Sequence, residues 1–324
     1  MKRVLLTQEI HQDALKLMDG KVDVVLSPSP EDEVVREHVA GVAGLVVRSA
    51  TRLSRETVFA ADSLEVIART GAGVDNVDVA AATERGIPVC HTPEANKTSV
   101  AEHAFALILA LAKDLPHLDG EVRKGNWQAR DSGQAFDLAG KTMGIVGLGR
   151  IGREVARLAL SFGMRVLAYD PFVSERPGGA EVEFAADLGE LFRRADVVSL
   201  HVPLTDETEG LIGAGLLGLL RPSAILINTS RGRVVDEPAL AEALSAGKPA
   251  GAGLDVFALE PLSSDNALCR LPNVILTPHS AALTAECRSR MARDAVRGLL
   301  DVLEGRKPRW VANRDVLRAR GVDV

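Results

Sequence analysis

The amino-acid sequence predicts an α/β protein with two doubly wound parallel-sheet domains. Short runs rich in Val, Ile and Leu alternate with amphipathic stretches along the whole chain, the pattern of α/β units. A length of 324 residues suggests about two domains. A long apolar segment that starts near residue 97 separates the β-rich runs into two series, so we expect one sheet from each series.

The first series contains five probable strands, with helical stretches such as Ile10–Met18 and Glu31–His38 between them. The strands are predicted at Arg3–Leu6, Val22–Leu26, Leu45–Arg48, Glu65–Arg69 and Pro88–His91. The final helical region, Ala285–Glu304, and the tail that holds Trp310 are expected to return to this domain. The predicted first domain therefore comprises residues 1–97 plus 286–324.

The apolar segment "NKTSVAEHAFALILALAKDL" predicts a helix that is apolar on most faces and is therefore buried between domains or subunits. Thr98 or Ser99 can cap it, and Glu102 follows Ser99 at capping-box spacing. The segment after this helix has weak periodicity and includes Trp127, which we interpret as exposed on an arm or loop.

The second domain is predicted to comprise residues 98–285 and to hold the second strand series. Its strands are predicted at Thr142–Val146, Arg165–Tyr169, Glu181–Phe184, Asp196–His201, Ala224–Asn228, Ala250–Leu254 and Val274–Thr277.

Composition excludes several classes of protein. The chain is 46% hydrophobic and 25% charged, as in soluble globular proteins, and its net charge of −6 argues against a nucleic-acid partner. Cys90, Cys269 and Cys287 are widely spaced, which favours reduced cytoplasmic thiols over disulfides or a metal site. The most apolar segment, Ala104–Ala112, is far shorter than the roughly 20 residues that cross a bilayer. We predict a cytoplasmic protein that does not contact membranes.

A glycine-rich turn predicts a dinucleotide site. Gly147, Gly149 and Gly152 form GxGxxG between a predicted strand and a predicted helix. A second strand ends at Asp170, close to the roughly 20-residue spacing of the dinucleotide fingerprint. Gly147 permits the tight turn, Gly149 admits the pyrophosphate, and Gly152 lets helix and strand pack closely. Because Asp170 can accept from both ribose hydroxyls, NAD is favoured over the alternative of a plain glycine turn.

Three further polar segments follow strands of the second series, at the edge where open α/β sheets bind ligands. They are Asn228–Arg233, Leu254–Pro261 and Thr277–His279. One histidine in a loop is often structural, so the role of His279 depends on its neighbours.

These segments resemble those of the D-isomer-specific 2-hydroxyacid dehydrogenase family. The similar motifs cover nearly the whole chain and read GLGRIG, GAGVDNVD, NKTSVAEH, HVPLTDETEGLI, INTSRGRVVDE and LDVFALEPL. The resemblance implies a flavodoxin-like substrate domain and a Rossmann NAD-binding domain with a cleft between them. It also implies NAD-dependent hydride transfer, a homodimer formed through the nucleotide-binding domain, and a short form without the regulatory domain of longer phosphoglycerate dehydrogenases.

The resemblance implies that Arg231, Glu260 and His279 are catalytic. Reduction of a 2-keto acid needs a proton on the developing alkoxide, and histidine ordinarily titrates near neutral pH. A carboxylate partner favours the protonated ring and fixes its orientation, while an arginine can grip a carboxylate at two points. Arg233 is a rival to Arg231, and Glu260 has the alternative role of a turn residue.

Further contacts are implied on both sides of the reaction. Besides the glycine turn, Asp170, Arg231 and His279, the cofactor contacts are Arg150, Ile151, His201, Pro203, Thr208, Thr229, Ser230, Asp255 and Ala281. Asp255 could instead be a turn former. With Arg231 and His279, the substrate contacts are Arg48, Ser49, Ala72, Gly73 and Asn96. Backbone amides near Ala72 and Gly73 can hold a carboxylate in a nest, and a solvated role remains open for Arg48.

The sequence leaves the substrate open among hydroxypyruvate, glyoxylate, 3-phosphoglycerate and sulfolactate types. After His279 the chain has Ser280, Ala281 and Ala282, where many family members have Ile-Gly. A formate or phosphite dehydrogenase is one alternative, although formate dehydrogenases carry Gln where this chain has Glu260. An NAD-sensing binding protein, like the corepressors of the same fold, is the other.

Overall fold

The protein forms two compact units in the computed structural model, which describes residues 1–131, 135–173 and 181–319. Unit 1 comprises Met1–Asn96 and Leu283–Val324, and unit 2 comprises Lys97–Ala282. Each unit contains one parallel sheet with helices on both faces.

Unit 1 contains a five-stranded sheet in the order β2-β1-β3-β4-β5. All of its strand pairs are parallel, and the order is that of flavodoxin-like folds. Its elements are β1 Lys2–Leu6, α1 Gln12–Met18, β2 Val22–Leu26, α2 Asp32–Glu37, β3 Val42–Val47, α3 Arg55–Ala60, β4 Val66–Arg69, α4 Val79–Glu84, β5 Val89–Cys90, α11 Ala285–Leu303 and α12 Asp315–Ala319.

Both faces of the first sheet are buried, which explains why β3 reads as a continuous apolar run rather than an alternating one. One apolar core includes Ala14 of α1 together with Leu299 of α11, and the opposite core includes Val58 of α3 and Ala81 of α4. The returning tail pairs with the sheet through an antiparallel bridge between Cys90 and Val311.

Unit 2 contains a seven-stranded parallel sheet in the order β12-β11-β10-β9-β6-β7-β8. This is the Rossmann order with one strand added at the edge. Its elements are α5 Lys97–Ala112, α6 Leu115–Arg123, β6 Thr142–Val146, α7 Arg150–Ser161, β7 Arg165–Tyr169, β8 Val182–Phe184, α8 Leu188–Arg194, β9 Val197–Leu200, α9 Ala214–Leu217, β10 Ile225–Asn228, α10 Glu237–Ser245, β11 Gly251–Leu254 and β12 Val274–Leu276.

The apolar helix α5 packs inside unit 2, against α7, β10 and β11. Its approach to the sheet is close, because a Cβ atom at Gly253 of β11 would lie 2.9 Å from the Cβ of Leu107. The second core, on the other face of the sheet, is formed with α8 and α10 and includes Leu191 and Leu240.

The structure confirms the predicted fold class, and every predicted strand is present. Two local predictions are wrong. Helix α5 begins at Lys97, so Thr98 and Ser99 lie within its first turn instead of capping it. The predicted arm or loop contains helix α6 and a short 3-10 helix, Trp127–Asp131; Trp127 is exposed, as predicted. The weak apolar periodicity of these residues reflects a surface helix without a buried face.

Within the described ranges, no helix has both the length and the apolar character needed to cross a membrane. The same residues contain no cluster of three or more His, Cys, Asp or Glu side chains suited to a metal ion.

Candidate active site

The glycine turn joins β6 to α7 at the carboxyl edge of the second sheet. Gly147 has a φ of 91°, a backbone conformation that residues with side chains rarely adopt. A Cβ atom at Gly152 would lie 2.1 Å from the carbonyl oxygen of Gly147, whereas one at Gly149 would meet nothing within 4 Å. The first and third glycines are therefore required by backbone packing, and the second leaves open space at the turn.

The amino terminus of α7 fits a dinucleotide pyrophosphate. Gly149 is the N-cap, and no side chain caps the helix, so its first amide groups point into the open space beside that glycine. The partial positive charge of a helix amino terminus attracts phosphate. Arg150 and Ile151 begin this helix, where they flank the turn.

Asp170 has a second task that the sequence did not reveal. One of its carboxylate oxygens accepts from the amide of Leu148 at 2.8 Å, and the other accepts from the amide of Phe172 at 2.9 Å. Asp170 thereby links the end of β7 to the glycine turn. A carboxylate has about four acceptor positions, so capacity for ribose hydroxyls remains.

His201 follows β9, beside the glycine turn. Burial lowers the pKa of His201 to about 3, and Nε2 lies 2.9 Å from the hydroxyl of Ser199. The ring is therefore neutral near pH 7 and cannot serve as an acid.

In the loop that follows His201, the hydroxyl of Thr208 donates to the carbonyl of Pro203 at 2.6 Å, so Thr208 helps to shape that loop.

The loop after β10 is organised by Asn228, which the sequence analysis did not single out. Its side-chain oxygen accepts from the amide and the hydroxyl of Ser230, and its amide group donates to the carbonyl of Arg231 at 2.9 Å. The hydroxyl of Thr229 is buried and makes no hydrogen bond with any described residue. A buried polar atom without a partner is costly, so it fits a position filled by a bound cofactor.

Gly232 lets the loop that carries Arg231 pack closely against the loop after β11. A Cβ atom at this position would lie 1.8 Å from the carbonyl carbon of Phe257, so the loop of Arg231 presses against the loop after β11. Arg233 instead forms an ion pair with Glu209 at 2.5 Å. Arg233 is therefore engaged in a surface ion pair, which favours Arg231 as the residue that faces the site.

Glu260 and His279 form a pair, with 2.7 Å between the Glu260 carboxylate and Nδ1 of His279. The other oxygen of Glu260 accepts from the amide of Phe257 at 3.0 Å. Burial opposes ionisation of Glu260, but these hydrogen bonds, the charge of His279 and that of Arg231 outweigh it. The pKa of Glu260 is therefore lower than its ordinary value, and the carboxylate stays ionised beside the ring.

The loop that carries His279 is held by Asp255, which is 1% exposed. The carboxylate of Asp255 accepts from the amides of Ser280 and Ala281 at 2.8 and 2.9 Å. His279 itself has a φ of 50°, in the left-handed region, and its amide donates to the carbonyl of Asp255 at 2.8 Å. These bonds stabilise a backbone conformation that is uncommon outside glycine; Ala281 is buried behind it.

In unit 1, the residues predicted to contact substrate follow strands β3, β4 and β5. Arg48 is half-buried and donates to the carbonyl of Glu9 at 2.9 Å; burial, with the charge of Arg288, lowers its pKa. Ser49 is exposed. Asn76, in the GAGVDN motif, donates to the carbonyls of Arg48 and Thr51 and so ties this loop to the next.

The amide groups of Ala72 and Gly73 donate to no acceptor in the part of the chain that the structure describes, as a free anion nest would. The side-chain oxygen of Asn96 is likewise buried without a partner among the described residues. The sequence analysis missed three polar atoms of the same kind after β1, β3 and β5. They belong to Gln8, Thr51 and Thr92. Their position just beyond strand ends was the available signal.

Comparison with known proteins agrees with this geometry. The family model described as D-isomer specific 2-hydroxyacid dehydrogenase, NAD binding domain, matches residues 105–281. A D-3-phosphoglycerate dehydrogenase of Methanocaldococcus jannaschii is 40% identical over 314 residues, which cover 97% of this chain and 60% of that protein. The chain thus spans about 60% of the length of this relative.

Two further proteins are similar over nearly their full lengths. A glyoxylate reductase of Korarchaeum cryptofilum is 40% identical over 327 residues, which cover 98% of each chain. The crystal structure of the TT0316 protein from Thermus thermophilus aligns with a TM-score of 0.88 at 40% identity, covering 96% of this chain and 99% of that one. These matches confirm the resemblance found in the sequence, and the chain belongs to the D-isomer specific 2-hydroxyacid dehydrogenase family, with the NAD-binding domain of that family in unit 2.

Proposed function

We propose that this protein is an NAD-dependent oxidoreductase that transfers a hydride between nicotinamide and C2 of a small D-2-hydroxy acid or its 2-keto acid. The observation that carries the proposal is the 2.7 Å contact between Glu260 and Nδ1 of His279. This pair belongs to the unit that holds the glycine turn. A carboxylate–imidazole pair beside a dinucleotide site is suited to proton transfer coupled to hydride transfer.

The nicotinamide, when bound, supplies or accepts the hydride. His279 uses Nδ1 for Glu260, so Nε2 handles the substrate proton: it donates to the C2 oxygen during reduction and accepts from the C2 hydroxyl during oxidation. Glu260 fixes the ring and stabilises its protonated form. Arg231 binds the substrate carboxylate and polarises the neighbouring carbonyl. Catalysis thus requires one acid–base group, one orienting anion and one anion-binding cation.

The cofactor contacts follow from the loops at the carboxyl edge of unit 2. Gly147, Gly149 and Gly152 shape the pyrophosphate site, and Asp170 accepts from the adenosine ribose, which favours NAD over NADP. The buried hydroxyl of Thr229 supports a cofactor contact there. The remaining proposed contacts are Arg150, Ile151, His201, Pro203, Thr208, Ser230, Arg231, Asp255, His279 and Ala281.

We assign substrate binding to residues 1–97 plus 286–324 and nucleotide binding to residues 98–285. Unit 1 offers the guanidinium of Arg48, the open amides of Ala72 and Gly73 and the unpartnered oxygen of Asn96. Ser49 lies beside Arg48. This set suits a small 2-keto acid with a polar or anionic substituent, such as hydroxypyruvate, 3-phosphohydroxypyruvate or sulfopyruvate, and also the unsubstituted acid glyoxylate. Relatives named as phosphoglycerate dehydrogenase and glyoxylate reductase support this class.

The test is a panel of these four keto acids with NADH and with NADPH, followed at the nicotinamide absorbance. We expect turnover with at least one acid, faster with NADH. Tight NADH binding without turnover on any acid would instead favour an NAD-sensing protein.

The Glu260→Gln variant tests the central pair. Loss of the anion disfavours the protonated ring, so the alkaline limb of kcat/KM for keto-acid reduction should move to lower pH. An unchanged limb, with normal NADH binding, would show that the pair does not operate in catalysis.

A cytoplasmic homodimer formed through unit 2 is also proposed. Leu115, Val122 and Trp127 are exposed at 53%, 53% and 66%, and exposed apolar side chains grouped in one segment are typical of protein contacts. The contact is to a second copy of the chain. Sedimentation at micromolar concentration should give about twice the 34.4 kDa chain mass; a mass equal to one chain would contradict the dimer.

A further inference from the structure

His103 lies on α5 and contacts the residues that precede and support His279. Its Nε2 atom is 3.0 Å from the hydroxyl oxygen of Thr277 and 3.5 Å from a carboxylate oxygen of Asp255. The His103 side chain is 22% exposed. None of the roles proposed above involves His103. It lies 174 positions before Thr277 in the chain, so the contact depends on the packing of α5.

The direction of these hydrogen bonds follows from the chemistry of the groups. The hydroxyl of Thr277 lies 2.6 Å from the Asp255 carboxylate, and an ionised carboxylate only accepts. Thr277 therefore donates its proton to Asp255, and its oxygen is left to accept. His103 must then donate from Nε2 to Thr277. The order of donation is His103 to Thr277 to Asp255.

Asp255 needs this support because its carboxylate is almost fully buried. Among the described residues, His103 is the only basic side chain within ion-pair distance of it. A buried carboxylate is costly unless its oxygens are hydrogen-bonded, and by donating to Thr277 His103 orients the hydroxyl of Thr277 as one of these donors. The same carboxylate holds the amides of Ser280 and Ala281, and without these bonds the chain would be free to relax the left-handed φ of His279.

Helix α5 gives His103 a fixed position from which to act. The helix packs on β10 and β11, and Leu107, one turn further along, lies against Gly253 in the strand that ends next to Asp255. The donor and the carboxylate are therefore carried by elements in direct contact. A rigid donor holds a hydrogen-bonded loop better than a mobile one.

We propose that His103 is a positioning residue that orients Thr277 and Asp255 and thereby holds the His279 loop in its active conformation. Its kinetic consequence rests on the proposed dehydrogenase function, whereas its structural consequence does not. His103 does not touch the reacting atoms in this scheme.

The kinetic test compares His103→Leu with His103→Gln, because glutamine can donate from a similar position and leucine cannot. A displacement of about 1 Å at a catalytic group can cost about 10²-fold in rate, so we expect His103→Leu to lower kcat by about 10- to 100-fold. The Kd for NADH should change less than kcat, because the glycine turn and Asp170 are untouched. His103→Gln should recover most of the lost kcat. His117→Leu, at an exposed histidine of α6, is the matched control and should behave as wild type.

A Thr277→Val variant shows whether His103 acts through Thr277. If it does, the double variant His103→Leu/Thr277→Val should lose no more kcat than the worse single variant, because both remove the same connection. Additive losses, or equal losses in the Leu and Gln variants, would overturn the proposal.

A readout independent of turnover separates this proposal from the function itself. In protein labelled with ¹⁵N-histidine, the ring signals of His279 should shift in His103→Leu and stay in place in His103→Gln and His117→Leu. Unshifted His279 signals in His103→Leu would overturn the positioning role. If the wild type turned over none of the acids but the signals moved as expected, only the dehydrogenase function would fail.

Discussion

The two parallel sheets of this protein carry polar side chains at their carboxyl edges but differ in how many of these side chains find a hydrogen-bond partner. In unit 2, Asp170, Asn228 and Asp255 each bond the backbone of the loop they serve. In unit 1, buried oxygens of Thr51 and Asn96 make no hydrogen bond with a described residue. Among the described residues, the edge of unit 2 leaves one buried side-chain oxygen, that of Thr229, without a hydrogen bond, whereas unit 1 leaves four.

This difference suggests a division of tasks between the two units. Cross-linked loops hold the proposed catalytic groups in a defined geometry before any ligand arrives, which would favour the proposed proton and hydride transfer. Buried donors and acceptors without partners destabilise the free protein, and a polar ligand that hydrogen-bonds to them removes this cost on binding. Changes in unit 2 should therefore alter kcat or cofactor choice, while changes in unit 1 should alter the KM for the acid.

The largest expected effect comes from His279→Ala in the cross-linked edge. The variant removes the proposed proton donor, a contribution of about 10²- to 10⁴-fold in general acid–base catalysis, while the glycine turn is untouched. We expect kcat to fall by at least about 10²-fold and the Kd for NADH to change far less, because the other proposed cofactor contacts remain; steady-state kinetics and fluorescence titration measure the two. Turnover close to wild type would remove His279 from the mechanism.

The next effect concerns Asp170 and the choice of cofactor. In NADP a phosphate replaces the 2′-hydroxyl. This phosphate would lie against the Asp170 carboxylate, which would no longer accept a hydrogen bond from the hydroxyl. A penalty of about 3 kcal/mol corresponds to about 10²-fold preference for NADH in kcat/KM. Asp170→Ala should abolish most of this preference. It should also weaken the binding of NADH, because the hydrogen bond from the amide of Leu148 to Asp170 is lost.

Asp170→Asn is the matched variant, since it keeps an acceptor without the charge. It should retain more activity with NADH than Asp170→Ala and still lose the preference for NADH over NADPH. Equal efficiencies with the two cofactors in the wild type, or a full preference in the alanine variant, would refute the assignment. Arg176, a nearby arginine in sequence, lies outside the described residues.

A smaller effect is expected in the unsatisfied edge, where two asparagines form a natural pair. Asn76 uses its amide to bond two backbone carbonyls, whereas the side-chain oxygen of Asn96 has no partner among the described residues. Asn96→Ala should raise the KM for the keto acid by roughly tenfold, the value of one polar contact of about 1.4 kcal/mol. It should leave the melting temperature near that of the wild type.

Asn76→Ala should instead lower the melting temperature, because the carbonyl of Thr51 loses its donor and that of Arg48 keeps only the amide of Thr51. Thermal unfolding and steady-state kinetics on both variants check the contrast. If Asn96→Ala melted as early as Asn76→Ala with an unchanged KM, Asn96 would have only a structural role.

The last expected effect is on stability and not on catalysis, and it concerns pH and His201. Burial lowers the pKa of His201 to about 3, against about 6.5 in an unfolded chain. Below about pH 6.5 the unfolded chain takes up a proton that the folded protein does not, so the free energy of unfolding falls as the pH falls. This loss, about 1.4 kcal/mol per pH unit, continues until about pH 3, where the folded protein is protonated as well.

His201→Gln should therefore lose less stability than the wild type between about pH 6.5 and pH 5, measured by urea unfolding at a series of pH values. His38→Gln, at an exposed histidine, is the control and should follow the wild type. A wild-type pH dependence in His201→Gln would show that the ring is not buried in its neutral form.

Much of the fold could be predicted because its signals are local. Parallel strands buried on both faces read as short apolar runs, and the Gly147–Gly152 turn has a fixed spacing within one βαβ unit. The predictions that proved wrong were also local. The capping pattern predicts Thr98 or Ser99 as the N-cap of α5, but the helix begins at Lys97 and includes both residues.

The sequence by itself determined the two strand series, the dinucleotide turn and the candidate residues Arg231, Glu260 and His279, since each has a recognisable pattern over a few positions. Only the tertiary structure decided which polar groups are used and which are left. The partners of Asp255 lie 22 to 26 positions away, and His103 reaches Thr277 across 174 positions. Such pairs depend on how β11, β12 and α5 pack together, and hydrogen bonds form only where packing brings donor and acceptor within about 3 Å.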